Sequence, residues 1–422
     1  MEITRLYLEI VRWIHYIICS ESYRCSSIKK EKYFSRNRKM SFTDYIYAIL
    51  QNTKSSLQVG LNAFFEAQKK GQMEYSKQAF SKGRQRIKPE AFAELFLEVA
   101  NKFYEKAELT SWNGYQLFGI DGSRLNLPCT DTLAELYGVQ TSQGAPQVQA
   151  LMSCVYDLLN GMITDVRVEG CKSSERKAAK EMIESFSLKN VENPVFIMDR
   201  GYPSAELIDA IIKAGHKFVM RCPTEFLRSM NLPEQDNVLE HKFVKLKHTL
   251  KLRVVKVPLS NGEIEYLATN IFDPALSPED FKFVYQKRWG IETKYNDLKN
   301  KLEIENFSGY TPDAILQDLY ATIFLANLTA VLEYDLHAEI EAAHKNPKNR
   351  YEYKMNIAMT ISELKETVIE MILTTSRKKQ DRLYRQMTVR LMRAVLPVRQ
   401  GRSSDRTKKH KIMKFPHNSN RI

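Results

Sequence analysis

Between residues 115 and 221 the chain changes pattern repeatedly, in an order that few folds accept. YQLFGI (115–120) is a short apolar strand ending at Asp121. Pro146–Tyr156 and Met162–Val168 are two further strand-like runs, and Asn160-Gly161 between them is a hairpin signal. SSERKAAKEMIESF (173–186) reads as a helix, and PVFIM (194–198) as a buried strand ending at Asp199. Pro203 opens the helix SAELIDAIIKAG, and HKFVMR (216–221) is the next strand. The order is three strands, helix, strand, helix, strand. Strands joined by a hairpin run antiparallel, and strands joined through helices run parallel. The centre of the chain is therefore expected to be α/β.

Helical patterns flank this centre. Residues 1–106 are amphipathic, with Ser41 and Asp44 forming a near capping box before FTDYIYAILQ. A second helix covers about 55–69, and Gly71 breaks it. Ser76 then caps KQAFSKGRQRIK, and Pro89 opens EAFAELFLEVANKFYEKA. A short turn followed by a helix bearing Lys77, Gln78, Lys82, Arg84 and Arg86 has the order of a helix-turn-helix. By spacing alone, a bundle with a basic solvated face fits better. Residues 223–280 interrupt the α/β pattern. KLRVVKVPL and EIEYLATNIF around Ser260-Asn261-Gly262 read as a β-rich insertion. Ser277-Pro278-Glu279-Asp280 starts a helix to about Leu302, and 312–372 is helical again.

Charge is unevenly placed. The whole chain has 63 Lys and Arg against 50 Asp and Glu, a net of +13. Arg377–Ile422 alone holds 15 basic and 2 acidic residues, so the rest of the chain is neutral. A basic tail of this kind suits a polyanion such as nucleic acid; a solvated tail is the plainer alternative. The six cysteines form no C-x-x-C pair, which points to a reducing, cytoplasmic setting. No apolar run reaches the roughly 18 residues of a membrane helix. The greasy N-terminal run carries Glu9, Arg12 and His15, so neither a signal peptide nor an anchor is expected.

Asp121 and Asp199, each following a strand, suit a hard cation. One such aspartate is usually a turn residue; two in one α/β unit make a metal site worth testing. On the helix after Ser277, Tyr285, Arg288, Glu292 and Lys299 fall at about 0°, 300°, 340° and 320° if the helix is continuous. That stripe carries a phenol, a guanidinium, a carboxylate and an ammonium. Mixed charges also occur on solvated helices, but Tyr285 and the neighbouring Trp289 suggest that this one is partly covered.

Tyr285, Arg288, Glu292 and Lys299 spell Y-x-x-R-x-x-x-E-x-x-x-x-x-x-K. Together with Asp121 in FGIDGSR and Asp199 in FIMDRGY, this resembles the bacterial insertion-sequence transposases of the IS-four type. FSRNRKMSF, YSKQAFSKGRQRIKPEAF and ENFSGYTPDAILQD are also similar to that family, and the likeness covers roughly residues 30–400. The resemblance implies a ribonuclease-H-like catalytic domain with a β-rich insertion, flanked by helical regions. The expected boundaries are a DNA-binding region at 1–106, the catalytic domain at 107–222 and 281–305, the insertion at 223–280, a helical region at 306–398 and a basic tail at 399–422.

The resemblance further implies that Asp121, Asp199 and Glu292 are catalytic and hold two Mg²⁺ ions, with Mn²⁺ as a substitute. Tyr285, Arg288, Lys299, Arg200, Lys82, Arg84 and Arg86 would contact DNA. The implied activity is cleavage at terminal inverted repeats and joining of the 3′-hydroxyl to double-stranded target DNA. The protein would act as a homodimer in the synaptic complex, in the cytoplasm on the nucleoid and with no membrane. The alternatives are a nuclease of the same fold without strand transfer and an inactive DNA-binding protein.

Overall fold

A computed structural model describes residues 5–36, 38–51, 55–68, 75–141, 146–259, 262–345 and 351–398. The expected basic tail at 399–422, the Gly71 break, and Ser260 and Asn261 of the second hairpin signal lie outside them. The N-terminal helices are α1 (Leu6–Cys19), α2 (Glu21–Ser27), α3 (Phe42–Gln51), α4 (Leu57–Ala67), α5 (Lys77–Arg84) and α6 (Glu90–Lys106). There follow β1 (Gln116–Asn126), α7 (Asp131–Tyr137), β2 (Val139–Gln140), β3 (Gln147–Asp157), β4 (Ile163–Gly170), α8 (Glu175–Glu184), β5 (Pro194–Met198), α9 (Ala205–Lys213) and β6 (Lys217–Cys222). Next come α10 (Thr224–Leu227), β7 (Asp236–His241), β8 (Leu250–Pro258), β9 (Ile264–Thr269), α11 (Pro278–Lys287) and α12 (Trp289–Asn300). The chain ends with α13 (Pro312–His344), β10 (Glu352–Lys354), α14 (Ile357–Leu373), α15 (Arg377–Arg393) and β11 (Leu396–Val398).

These elements divide into two compact units. The sheet unit is Glu108–Leu125 with Ala150–Asn296. The helical unit is formed by the described residues up to Ala107, by Asn126–Gln149, and by those from Asp297 on.

In the sheet unit the strand order is β4-β3-β1-β5-β6-β9-β8-β7. Leu158 N donates to Leu117 O, and Leu127 N donates to Val148 O, so β3 runs antiparallel to β1. β4 is antiparallel to β3, while β5 is parallel to both β1 and β6. This is the ribonuclease-H-like order that the resemblance implies. β5 is buried on both faces. Val195 and Ile197 point into a core shared with Leu117, Val219, Val255, Leu267 and Phe281, and Phe196 lies tilted against Phe118 and edge-on to Phe186 on the other. An apolar run buried on both faces is the mark of a central parallel strand. Each large apolar side chain so buried contributes roughly 1.5–3 kcal/mol.

Two details depart from the sequence reading, and one is borne out. The first strand does not end at Asp121 but continues to Asn126. The hairpin signal holds: β3 and β4 pair antiparallel around a loop over 158–162. Asp157 Oδ1 accepts from Leu159 N and Asn160 N at 2.9 Å each, and Gly161 takes φ 77°. The strands expected as an insertion are not a separate sheet. β9 pairs antiparallel with β6 through Val219↔Thr269 to Cys222↔Tyr266, which extends the central sheet.

The helical unit is organised on α13, whose 33 residues include the apolar run seen in the sequence. This helix is long and apolar enough to cross a membrane by length and composition, which corrects the expectation that no run reaches that size. Most of its apolar window, 89%, is buried inside the protein, as befits a core helix. Asn327 Nδ2 donates to Phe96 O, so α6 lies along it. Ser41 and Asp44 do form a reciprocal cap: Asp44 N donates to Ser41 Oγ, and Ser41 N donates to Asp44 Oδ2.

Candidate active site

β1 and β5 set the site. Their parallel register runs Gln116↔Pro194 to Gly119↔Ile197. Continuing it by two residues puts Asp121 level with Asp199, on neighbouring strands about 4.8 Å apart. Two carboxylates so placed repel one another. Burial first, then the Asp199 and Glu175 charges, push the Asp121 carboxyl up to about 7, against a hydrogen bond from Gly122 N and the charge of Arg288. Gly122 N donates to Asp121 Oδ1 at 2.9 Å, and Gly201 N donates to Asp199 Oδ1 at 2.7 Å. Backbone amides thus aim both side chains.

α11 begins as the sequence indicates, with Ser277 and Asp280 capping each other and Pro278 in the first turn. The helix does not run on to Leu302. It breaks at Arg288, where Arg288 N bonds to Tyr285 O and Ile291 N bonds to Arg288 O in tighter i→i+3 turns. The continuous stripe is therefore two short faces meeting at Arg288. Tyr285 is buried, and burial pushes its hydroxyl up to about 12. Arg288 is 7% exposed, with Nη2 on Glu292 Oε1 at 2.8 Å and its charge centre over the rings of Tyr285 and Trp289. Its Nε is buried without a hydrogen-bond partner. Tyr285 and Arg288 make the stripe partly buried, as expected, while Trp289 itself is half exposed.

α12 is held close to the strands. Tyr295 Oη donates to Asp121 O at 2.7 Å. Gly119 on β1 and Gly290 on α12 both face Leu158: an added Cβ would lie 3.1 and 3.2 Å from its Cδ2. Helix and sheet are one leucine methyl apart at this point.

The structure thus gathers Asp121, Asp199, Tyr285, Arg288 and Glu292 into one electrostatic neighbourhood. Arg200 is exposed beside Asp199. Lys299 belongs to the helical unit, where its Nζ lies 3.9 Å from Glu305. Lys82 is exposed and Arg86 half-buried.

Arg84 is a correction. It is 2% exposed, paired with Asp318 at 2.7 Å, and bonded to Gln317, Ser308 and Ala314 O. A guanidinium spent in this way cannot reach a phosphate. Two residues at the site escaped the sequence reading. Glu175 opens α8 so close to Gly122 that a Cβ there would meet its Cδ at 2.8 Å. Tyr202, 1% exposed, donates to Glu175 at 3.4 Å. The MDRGY context contained Tyr202; nothing local marked Glu175 apart from an ordinary helix start.

The donors suit a hard divalent cation in kind, being carboxylate oxygens. Among the described residues, no three Asp, Glu, His or Cys side chains are gathered closely enough to hold one as they stand. Glu292 accepts from Arg288 Nη2 at 2.8 Å.

Residues 113–328, just over half of the chain, match the family model described as the transposase DDE domain. The chain belongs to the DDE transposase family. It is 24% identical over 358 residues to transposase InsG for insertion sequence element IS4 of Escherichia coli (strain K12), spanning 80% of this chain and 77% of that one. It is 26% identical over 152 residues to a probable transposase for insertion sequence element IS5377 of Geobacillus stearothermophilus, spanning 33% and 40%. A solved chain of the piggyBac transposase synaptic complex with hairpin DNA aligns over 94% of this chain and 88% of its own, at 11% identity and a TM-score of 0.47. The transposase is an enzyme that cleaves DNA and transfers strands, and its family uses divalent metal.

Proposed function

We propose that this transposase excises an insertion sequence by cutting at its terminal inverted repeats and joins the freed 3′-hydroxyl to target DNA, with Asp121, Asp199 and Glu292 as its catalytic carboxylates. The observation that supports this most is the in-register pair Asp121 and Asp199, held by backbone amides beside an Arg288–Glu292 pair. Two Mg²⁺ ions, or Mn²⁺ in their place, would supply Lewis acidity at the attacking and leaving oxygens. The three carboxylates hold the charge that binds them. Glu292 must turn from Arg288 to do so, which frees the guanidinium for a DNA phosphate near the cut. Tyr285 braces Arg288 from beneath, and Arg200 and Lys299 contact the strand further out. Two copies pair two element ends, so the working form is a homodimer. The setting is the bacterial nucleoid, in the cytoplasm.

The test uses the full chain, Mg²⁺ and a supercoiled plasmid carrying the element's own ends. Excised and rejoined products are expected. Asp121→Asn, Asp199→Asn and Glu292→Gln each remove a ligand charge at nearly constant volume. Each should lower cleavage at least about 10³-fold, or roughly 4 kcal/mol, while gel shifts on the ends stay unchanged. Cutting by Asp199→Asn near the normal rate would refute the assignment, and cleavage without joining would favour the nuclease reading.

A further inference from the structure

Two consecutive residues at the start of α8, Glu175 and Arg176, reach the backbone beside both aspartates. On the β1 side Glu175 lies over Gly122, the residue after Asp121. A Cβ at Gly122 would stand 2.8 Å from Glu175 Cδ, 2.9 Å from Cγ and 3.1 Å from Oε1. The glutamate can lie this close because position 122 has no side chain. On the β5 side Tyr202 Oη donates to Glu175 Oε2 at 3.4 Å, and Arg176 Nε donates to Gly201 O at 2.7 Å. Gly201 and Tyr202 close the turn that aims Asp199. Gly201 N donates to Asp199 Oδ1 at 2.7 Å, and Tyr202 N donates to Asp199 O at 3.2 Å.

The helix that carries the two residues is fixed from behind. Ser174 Oγ accepts from Lys177 N and caps α8, whose Ala178, Ala179, Met182 and Ile183 are buried. Arg167 on β4 donates to Glu181 Oε2 at 3.0 Å. Seating α8 on the sheet asks for that buried face and not for Glu175 and Arg176, which are exposed. Tyr202 is 1% exposed, and a buried hydroxyl needs a partner. Glu175 accepts it, and the charges of Asp121, Glu175 and Asp199 all act on that hydroxyl, which places it among the three carboxylates. Asp121 and Asp199 repel each other across neighbouring strands. Carboxylates that act together must be held to within about 0.5 Å by what surrounds them.

We propose that Glu175 and Arg176 are positioning residues for the transposition reaction. They tie the Asp121–Gly122 segment of β1 to the turn at 199–202 and so hold the two carboxylates at one spacing. The inference rests on Asp121 and Asp199 being catalytic. Glu175 acts through its packing on Gly122 and its bond to Tyr202, and Arg176 acts through the Gly201 carbonyl.

The experiment uses the full chain and two readouts: Mn²⁺ binding followed by electron paramagnetic resonance, and the Mg²⁺ dependence of plasmid cleavage. Glu175→Ala should raise the Mn²⁺ dissociation constant and the half-saturating Mg²⁺ about 10–100-fold, the usual effect of losing a group that orients metal ligands. Thermal melting without metal and gel shifts on the element's ends in EDTA should stay normal. Arg176→Ala should shift both readouts in the same direction. Glu175→Gln keeps the length and the acceptor for Tyr202, so it should restore most of the metal affinity. Gly122→Ala pushes the flexible end of Glu175 aside and should reproduce Glu175→Ala. The two combined should be no worse than the more damaging single change, because both break one contact. A normal metal dependence in either alanine variant at 175 or 176 would overturn the proposal. So would Glu175→Gln as damaging as Glu175→Ala, since the charge and not the tie would then matter. Asp199→Asn should lose Mn²⁺ binding and cleavage together; if it kept both, the catalytic reading itself would fail and this inference with it, whereas failure at Glu175 alone leaves that reading standing.

Discussion

Arg84 and Arg288 are both buried guanidiniums, and they are surrounded in opposite ways. Arg84 meets Asp318, Gln317, Ser308 and a backbone carbonyl, and Gln317 in turn donates to Arg84 O and Ile87 O. Asp318 is itself closed by Ser308 N and Oγ. Arg288 bonds to Glu292 and leaves Nε bare, over two aromatic rings. A buried charge with its donors filled fixes a structure. One left partly unfilled has bonding capacity in reserve for something that arrives later. Of two arginines in recognisable motifs, only the second keeps a buried donor unfilled.

The sharpest way to break this contrast is at Arg84. Arg84→Met strands a buried Asp318 and should cost about 3–5 kcal/mol of stability. Pairing it with Asp318→Asn should restore part of that, as read by denaturant melting. If Arg84→Met left stability intact while lowering DNA affinity, the two roles would be reversed.

A smaller effect should follow pH. Asp121 has its folded carboxyl raised to about 7, above its unfolded value of 3.8. The folded state then holds the extra proton between those values, so metal-free stability falls as pH climbs from about 4 to 7. The loss is on the order of a few kcal/mol. Asp121→Asn should flatten that slope in thermal melts, and Mg²⁺ at pH 7 should recover stability in the normal protein only. Equal slopes in both proteins would place the strain elsewhere.

The smallest expected change is at Arg288 itself. Arg288→Met keeps the packing over Tyr285 and should shift stability by less than about 1 kcal/mol. Cleavage should slow about 10–100-fold, or 1.4–2.7 kcal/mol. A large stability loss would make Arg288 a second Arg84.

The same pair shows what the sequence made legible. The strand and helix order of the sheet unit, the Ser277 cap and the spacing of the Asp, Arg and Glu motifs are local signals, and the chain displays them locally. Arg84 was misread because its partners lie 224 to 234 residues away, and a basic residue on a short helix otherwise looks solvated. The break at Arg288 was hidden because its flanking residues keep a helical period on both sides. The joining of β9 to β6 was equally hidden: a hairpin signal names its two strands but not the neighbour they take. Glu175 sits at a helix start like many others, and only the missing side chain of Gly122 lets it approach.

The Gly119–Leu158–Gly290 contact bears on how such a protein drifts. A mobile element's enzyme persists only while its copies still jump, and copies that have stopped accumulate changes without penalty. Most exposed positions absorb these changes silently. A single added carbon at either glycine crowds the Leu158 methyl, which must give by a few tenths of an ångström where α12 seats on β1, while every charged residue of the motif stays in place. A copy can therefore keep its full charged signature while the seat of α12 on β1 is disturbed, and these two glycines are the positions to read for it.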